Sequence, residues 1–161
     1  MNDNIQALVI QSGRVPLEAL RLALQVQSID VLNARNCAEA ALLLWSERPL
    51  HIVFTDVQLT DGNWADVLTL AAKARKPVNV IVIAPYADIG LYLEALERGA
   101  FDFVVPPLSG AEFGHVIRTA AENVLARQRQ AAAPPSSLVT VPESKDPQGE
   151  QIMLSDDWVV S

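Results

Sequence analysis

His51-Ile52-Val53-Phe54-Thr55-Asp56-Val57-Gln58-Leu59-Thr60-Asp61-Gly62 is the stretch whose reading decides the fold. A mostly apolar run leads straight to one carboxylate, Asp56, and then to a loop carrying the acid–glycine pair Asp61-Gly62. Strands that are apolar throughout, without alternation, are covered on both faces, as strands inside parallel sheets are. Open α/β sheets bind ligands just beyond the carboxyl ends of their strands. Asp56 is therefore placed where chemistry is done.

Working outward from His51–Thr55, four further strand candidates are Ile5–Ile10, Ser28–Leu32, Val78–Ile83 and Asp102–Val105, and most of the five are continuously apolar. Amphipathic segments separate them, and their start signals are readable. Pro16 suits a first helical turn and is followed by Leu17, Leu20 and Leu24 at helical spacing. Asn36 with Glu39, and Ser109 with Glu112, stand at capping-box spacing. Asn63 and Asp88 are candidate caps for the third and fourth helices, and Gly99 would end the fourth. Phe113, Val116, Ile117, Ala120 and Val124 share one face of a fifth helix running from Gly110 to about Gln130. A fivefold βα alternation with short connections predicts an α/β fold built on a doubly wound, five-stranded parallel sheet.

Composition narrows the function. The 161 residues hold 19 acids against 12 Lys and Arg, a net charge of −7. Residues 1–130 contain 14 acids and 11 basic residues, and residues 131–161 five and one. Neither part has the basic surface that phosphate contacts on nucleic acid demand, so no nucleic-acid partner is expected. No apolar run approaches the roughly 18 residues of a membrane span. Met1-Asn2-Asp3-Asn4 lacks the basic start of a signal peptide, so a cytoplasmic protein is expected. The single cysteine, Cys37, excludes an internal disulfide and a cysteine metal cluster, and reads as filler beside a helix start. His51 and His115 are too isolated for a catalytic dyad or a metal site, and Trp45 and Trp64 read as packing residues.

Residues 1–130 form the expected folded domain. Beyond it, Ala131-Ala132-Ala133-Pro134-Pro135-Ser136-Ser137 reads as the start of a linker, and 131–161 as a Pro/Ser-rich linker with an acidic–hydrophobic tail. The tail's Ile152–Val160, with Trp158 beside Asp156-Asp157, suggests a tethered docking motif, set against the commoner frayed end.

Several of these segments together carry a resemblance. Asp56 with Leu59-Thr60-Asp61-Gly62, Pro77 before the apolar run to Ile83, and Leu93-Glu94-Ala95-Leu96-Glu97-Arg98-Gly99-Ala100-Phe101-Asp102-Phe103 are similar, in order and spacing, to the receiver domain of two-component response regulators. The match covers roughly residues 5–125. It implies the flavodoxin-like (βα)5 receiver fold, Asp56 as the candidate phosphoacceptor, and Phe103 at the position of the family's switch aromatic. It also implies a cis bond before Pro107.

The departures from the family pattern gather around Asp56. Receivers usually end the first strand with two acids that help bind Mg²⁺, where Gln11 and Ser12 stand. A Thr or Ser usually ends the fourth strand, where this chain has Ala84. A lysine usually precedes the fifth-strand proline, where this chain has Pro106. Phosphoryl transfer depends on neutralising charge on the transferring oxygens, and Mg²⁺ wants oxygen ligands in near-octahedral array. The resemblance therefore implies little or no Mg²⁺ binding and no other cofactor.

Enzyme signatures are lacking too: there is no nucleophile elbow, P-loop or dinucleotide fingerprint. Gln58 stands where aspartate-nucleophile phosphatases carry a second acid, and Gln11-Ser12-Gly13-Arg14 is a faint version of a phosphate-cradling loop. The expected function is that of a stand-alone atypical receiver, a non-enzymatic protein-interaction module of a bacterial phosphorelay-type pathway that works without phosphorylation. The second reading is a single-domain response regulator phosphorylated on Asp56. Expected partners are a sensor kinase or a downstream signalling protein, and a second copy joined through the fourth helix, fifth strand and fifth helix. Arg118, Arg127 and Arg129 read either as a partner-facing surface or, more commonly, as a solvated face.

Overall fold

The structure is a computed structural model and describes residues 4–13, 17–108 and 110–132. The chain runs β1 (Gln6–Ile10), α1 (Leu17–Val26), β2 (Asp30–Ala34), α2 (Cys37–Leu44), β3 (Ile52–Asp56), β4 (Gln58–Leu59) and β5 (Gly62–Asn63). It continues α3 (Trp64–Ala72), β6 (Asn79–Ile83), α4 (Ile89–Glu97), β7 (Asp102–Val104) and α5 (Gly110–Ala132). Five strands form one sheet in the order β2-β1-β3-β6-β7, with every pairing parallel. This is the doubly wound α/β arrangement expected from the apolar runs.

Strand periodicity sorts the core onto two faces. Ala7, Val9, Ile52, Phe54, Ile81 and Ile83 point to one side and pack with Leu20 and Leu24 of α1 and Phe113, Ile117 and Ala120 of α5. Leu8, Ile10, Val53 and Val80 point to the other, against Ala40 and Leu44 of α2 and Val67 of α3. All residues of β3 and β6 are buried. Removing each such Leu, Ile, Val or Phe side chain from water contributes about 1.5–3 kcal/mol, which is why continuous apolar runs become central strands.

Helix ends follow local chemistry. Asn63 caps α3 with a full capping box, its side chain accepting from Ala65 and Asp66 N–H while the Asp66 carboxylate accepts from Asn63 N–H. Asp88 accepts from Leu91 N–H at 3.0 Å and caps α4. Gly99 follows the end of α4 at φ +107°, a conformation that glycine alone adopts without strain. Asn36 accepts from Glu39 N–H, but Glu39 reaches back to Arg35 N–H and not to the cap residue. Ser109, Pro16 and the tail segment lie outside the described residues.

Several boundaries differ from the sequence reading. The second strand starts at Asp30, because Ser28 takes a left-handed φ of 59° as the chain leaves α1. The third ends on Asp56 itself and the fourth begins at Asn79. The loop after Asp56 folds into the β4–β5 hairpin, so the expected fourth and fifth strands are β6 and β7. Ala131 and Ala132, read as the start of the linker, are the last two helical residues of α5, in keeping with the high helix propensity of alanine.

Candidate functional site at the carboxyl edge of the sheet

Asp56 is the last residue of β3 and stands in register with Ile83, the last residue of β6. It is only 3% exposed. It follows four buried residues of β3, Ile52 to Thr55, and lies at the carboxyl end of the strand, where the cavity beside it begins.

Ser12, two residues past the end of β1, meets Asp56 across that edge. Its backbone N–H donates to Asp56 Oδ2 at 2.9 Å, and its hydroxyl lies 3.3 Å from the same oxygen and 3.3 Å from the Gln58 carbonyl. One hydroxyl proton serves only one of these acceptors at a time, so Ser12 Oγ bridges the acid and the loop after it. A backbone N–H on an ionised carboxylate makes a charge-assisted bond, about twice as strong as a neutral one. Gln11 continues the sheet ladder, its N–H donating to Ala34 O at 3.0 Å.

Beside the acid lies a cavity of about 240 Å³ lined by Asp56, Val57, Gln58, Ala84, Tyr86 and Leu91 among others. Ala84 is 1% exposed, and its N–H donates to Val104 O. It offers the cavity a methyl group and no hydroxyl. Phe103 is buried in a cluster with Trp64, Val82, Ala84 and Ala95, its ring edge-on to Tyr92 at 5.8 Å. Pro106 precedes Pro107 through a cis peptide bond. It presents neither a cation nor an N–H. The structure thus brings Asp56 into contact with Ser12 and into one cavity with Ala84. Gln11, Phe103 and Pro106 are not among the residues lining that cavity.

One contribution the sequence does not reveal is that of Asp61, read as a turn acid. The β4–β5 hairpin carries it to the start of α2, where its carboxylate accepts from Cys37 N–H at 2.7 Å and Ala38 N–H at 3.1 Å. With Asn36 taking Glu39 N–H, three of the N–H groups left over at the start of α2 are satisfied by side chains. The bond from Cys37 N–H is the main reason the Asp61 carboxyl lies below its ordinary value, with Ala38 N–H adding to it. The Cys37 thiol is pushed up to about 11, first by burial and then by the charge of Asp61, which leaves it a poor nucleophile. At Gly62 a Cβ would stand 2.5 Å from Asp66 Oδ2 and 3.0 Å from Cys37 Sγ, so a larger residue would push the capping carboxylate of Asp66 aside. The loop after Asp56 is therefore pinned to both α2 and α3.

His51 and His115 are far apart in role. His51 is buried and its Nδ1 accepts from Gln6 N–H at 3.0 Å, while His115 is exposed on α5. Trp64 is buried, whereas Trp45 is nearly half exposed and its indole N–H lies 3.4 Å from Leu70 O. Among the described residues no group of three or more His, Cys, Asp or Glu is placed to hold a metal ion, and no helix is long and apolar enough to cross a membrane.

Comparison with known proteins agrees with this geometry. The family model of the response regulator receiver domain matches residues 7–118. The response regulator protein PilR of Pseudomonas aeruginosa is 30% identical over 115 residues, which cover 71% of this chain and 26% of PilR. The transcriptional regulatory protein KdpE of Mycobacterium tuberculosis is 34% identical over 113 residues, covering 70% of this chain and 49% of KdpE. The chain thus spans from a quarter to a half of the length of these two relatives. Among solved structures, a response regulator from Thermotoga maritima matches with a TM-score of 0.65 at 20% identity, covering 74% of this chain and 99% of that one. A response regulator receiver protein from Pseudomonas putida gives 0.63 at 23% identity, covering 74% and 99%. A five-stranded parallel sheet with a buried strand-end aspartate, in a chain whose residues 7–118 fit the family model, belongs to the response regulator receiver domains of two-component signalling.

Proposed function

We propose that this receiver is a protein-interaction module whose output does not depend on phosphorylation of Asp56. The observation that carries the reading is the contact between Ser12 and Asp56. The residue standing where the family pattern has a metal-binding acid instead turns a backbone N–H and a hydroxyl toward the carboxylate. Mg²⁺ is held by near-octahedral oxygen ligands and gives up its waters reluctantly. Asp56, the Gln58 carbonyl and Gln11 are a poor set for it, and they do not fit that ion. Ala84 and Pro106 then supply neither the hydroxyl nor the cation that would steady a transferring phosphoryl group. Losing the lysine alone would leave three crowded carboxylates, and losing two acids as well relieves that repulsion.

Partners are proteins of the same signalling class, a sensor kinase or a downstream component, together with a second copy of this chain. In support of self-association, Tyr86 just before α4 and Ile89 and Leu93 one helical turn apart on it are 68%, 79% and 54% exposed, and clustered exposed apolar groups commonly mark interaction surfaces. We place the dimer surface on α4, β7 and α5.

The second reading, phosphorylation on Asp56, draws support from the cavity beside that residue. Incubation with a small phosphodonor and Mg²⁺, followed by intact-mass measurement, separates the two. The proposal expects no phosphoryl adduct; a stoichiometric adduct that vanishes in Asp56→Ala favours the second reading.

A further inference from the structure

At the opposite, amino-terminal edge of the sheet a second concavity of about 360 Å³ opens between the ends of α3 and α4 and the late turns of α5. Arg75, Lys76, Arg98 and Arg127 line it over an apolar floor that includes Leu68 and Val78, and no acidic residue is among its lining. In a chain of net charge −7 that is a marked local reversal.

Two of these cations are paired with acids that are not among the lining residues. Arg75 pairs with Glu47 at 2.7 Å, and Arg98 pairs with Glu94 at 3.3 Å while lying 5.8 Å from the Trp64 ring centroid. Both pairs are exposed, the kind that contributes little and opens readily. Arg127 differs. Its guanidinium donates to the side-chain oxygen of Asn79 and lies 3.4 Å from the Val78 carbonyl, both neutral acceptors. Asn79 is 3% exposed and is itself fixed by bonds to Ala120 O at 2.9 Å and Asn123 Oδ1 at 3.0 Å. Arg127 is thus held in position while its charge is left for something else. Among the described residues no carboxylate lies within ion-pair distance of Arg127 or Lys76.

Basic residues commonly settle at helix C-termini, where they meet the negative end of the dipole. That explains why Arg75, Lys76 and Arg98 follow α3 and α4, but not why they share one concavity with a guanidinium steered in from α5. The two helix ends together supply only about one negative charge, and Glu47 and Glu94 two more, so the balance stays positive. The volume falls within the roughly 300–1,000 Å³ of small-molecule sites. Guanidinium and ammonium groups over an apolar floor suit a phosphate on a compact, partly apolar body.

We infer that this groove binds small phosphate esters, at a site separate from Asp56 and independent of how that residue is used. The test is an NMR titration of the full chain with AMP and, in parallel, inorganic phosphate. AMP should produce saturable shifts at the Val78, Gly99 and Arg127 amides with a Kd of order 0.1–1 mM, several-fold tighter than inorganic phosphate. Lys76→Gln and Arg127→Gln should each weaken AMP by about tenfold, while Asp56→Ala leaves it unchanged. Because Arg127 also ties α5 to β6, Lys76→Gln decides the matter if Arg127→Gln fails to fold. The inference is overturned if no shifts appear, if sodium chloride at matched ionic strength gives the same shifts, if AMP and inorganic phosphate bind alike, or if Lys76→Gln binds AMP as tightly as the parent. Shifts produced by an oligoglutamate peptide but not by AMP would likewise overturn it, and would assign the groove to an acidic protein segment.

Discussion

The two edges of one sheet have taken opposite courses. At the carboxyl edge Asp56 meets Ser12 N–H and shares its cavity with Ala84 and with Asp88, whose carboxylate caps α4. At the amino edge polar groups have accumulated. Buried Asn79 ties β6 to α5 through Ala120, Asn123 and Arg127, and Gln128 donates to Leu50 O and Pro77 O. Receivers are built to do their chemistry at the first edge. The contrast teaches that one sheet can be held at its amino edge by a buried polar network while the residues at its carboxyl edge, Gln11, Ser12 and Ala84, depart from the pattern of the family.

The contrast can be broken most severely at the amino edge. Asn79→Ala removes three hydrogen-bonding relations in a buried setting and should destabilise the domain by about 2–3 kcal/mol, a loss of several degrees in Tm. A loss below about 0.5 kcal/mol in urea unfolding would mean that this network is ornamental and the two edges are less different than they look.

A second test rebuilds the carboxyl edge. Gln11→Asp with Ser12→Asp should lower stability without metal, because three carboxylates crowd together. Mg²⁺ should restore it, as ligand binding to the folded state alone stabilises by mass action. The parent chain should show no such Mg²⁺-dependent rise in Tm. If the double variant also shows none, the edge has been remodelled more deeply than those two side chains.

A smaller effect sharpens the role of the loop between the edges. Asp61 has its folded-state carboxyl below the ordinary 3.8, so the stability it lends is present above that value and is lost as pH falls through the lower, folded-state one. Asp61→Asn should remove that segment of the acid unfolding curve and loosen the start of α2, seen as faster amide exchange at Cys37 and Ala38. Unchanged exchange there would refute the cap.

Much of this was legible in the sequence, and the parts that were not share a cause. The central strands announced themselves because a strand covered on both faces is apolar along its length, as β3 and β6 nearly are, and Asn63, Asp88 and Gly99 announced helix ends because caps act over two or three residues. Asp61 did not announce itself as a cap for α2, since its partners are 24 residues or so away and only the β4–β5 hairpin brings them together. Arg127 read as one of three surface arginines on α5, and nothing local links it to Asn79, which is 48 residues away. Ser28 hid the start of β2 because a left-handed serine is not signalled by composition. At the candidate site the sequence showed which groups were replaced; that Ser12 N–H then faces Asp56 is a matter of loop geometry.

The smallest expected effect belongs to Asp56 itself. Asp56→Ala should leave oligomeric state and partner binding nearly unchanged, since a group that does not switch cannot shift a two-state equilibrium. Loss of self-association in a folded Asp56→Ala variant would contradict that, whereas Ile89→Glu on the exposed patch of α4 should weaken it.

The most direct measurement is an NMR titration of the parent chain with Mg²⁺, alone and with beryllofluoride, following the amides around Asp56. The expected result is no saturable shift at millimolar Mg²⁺ and no further change on adding beryllofluoride, because one carboxylate facing Ser12 is a poor magnesium site. Saturable shifts below about 1 mM that disappear in Asp56→Ala would show an intact cation site and a receiver that still switches by phosphorylation.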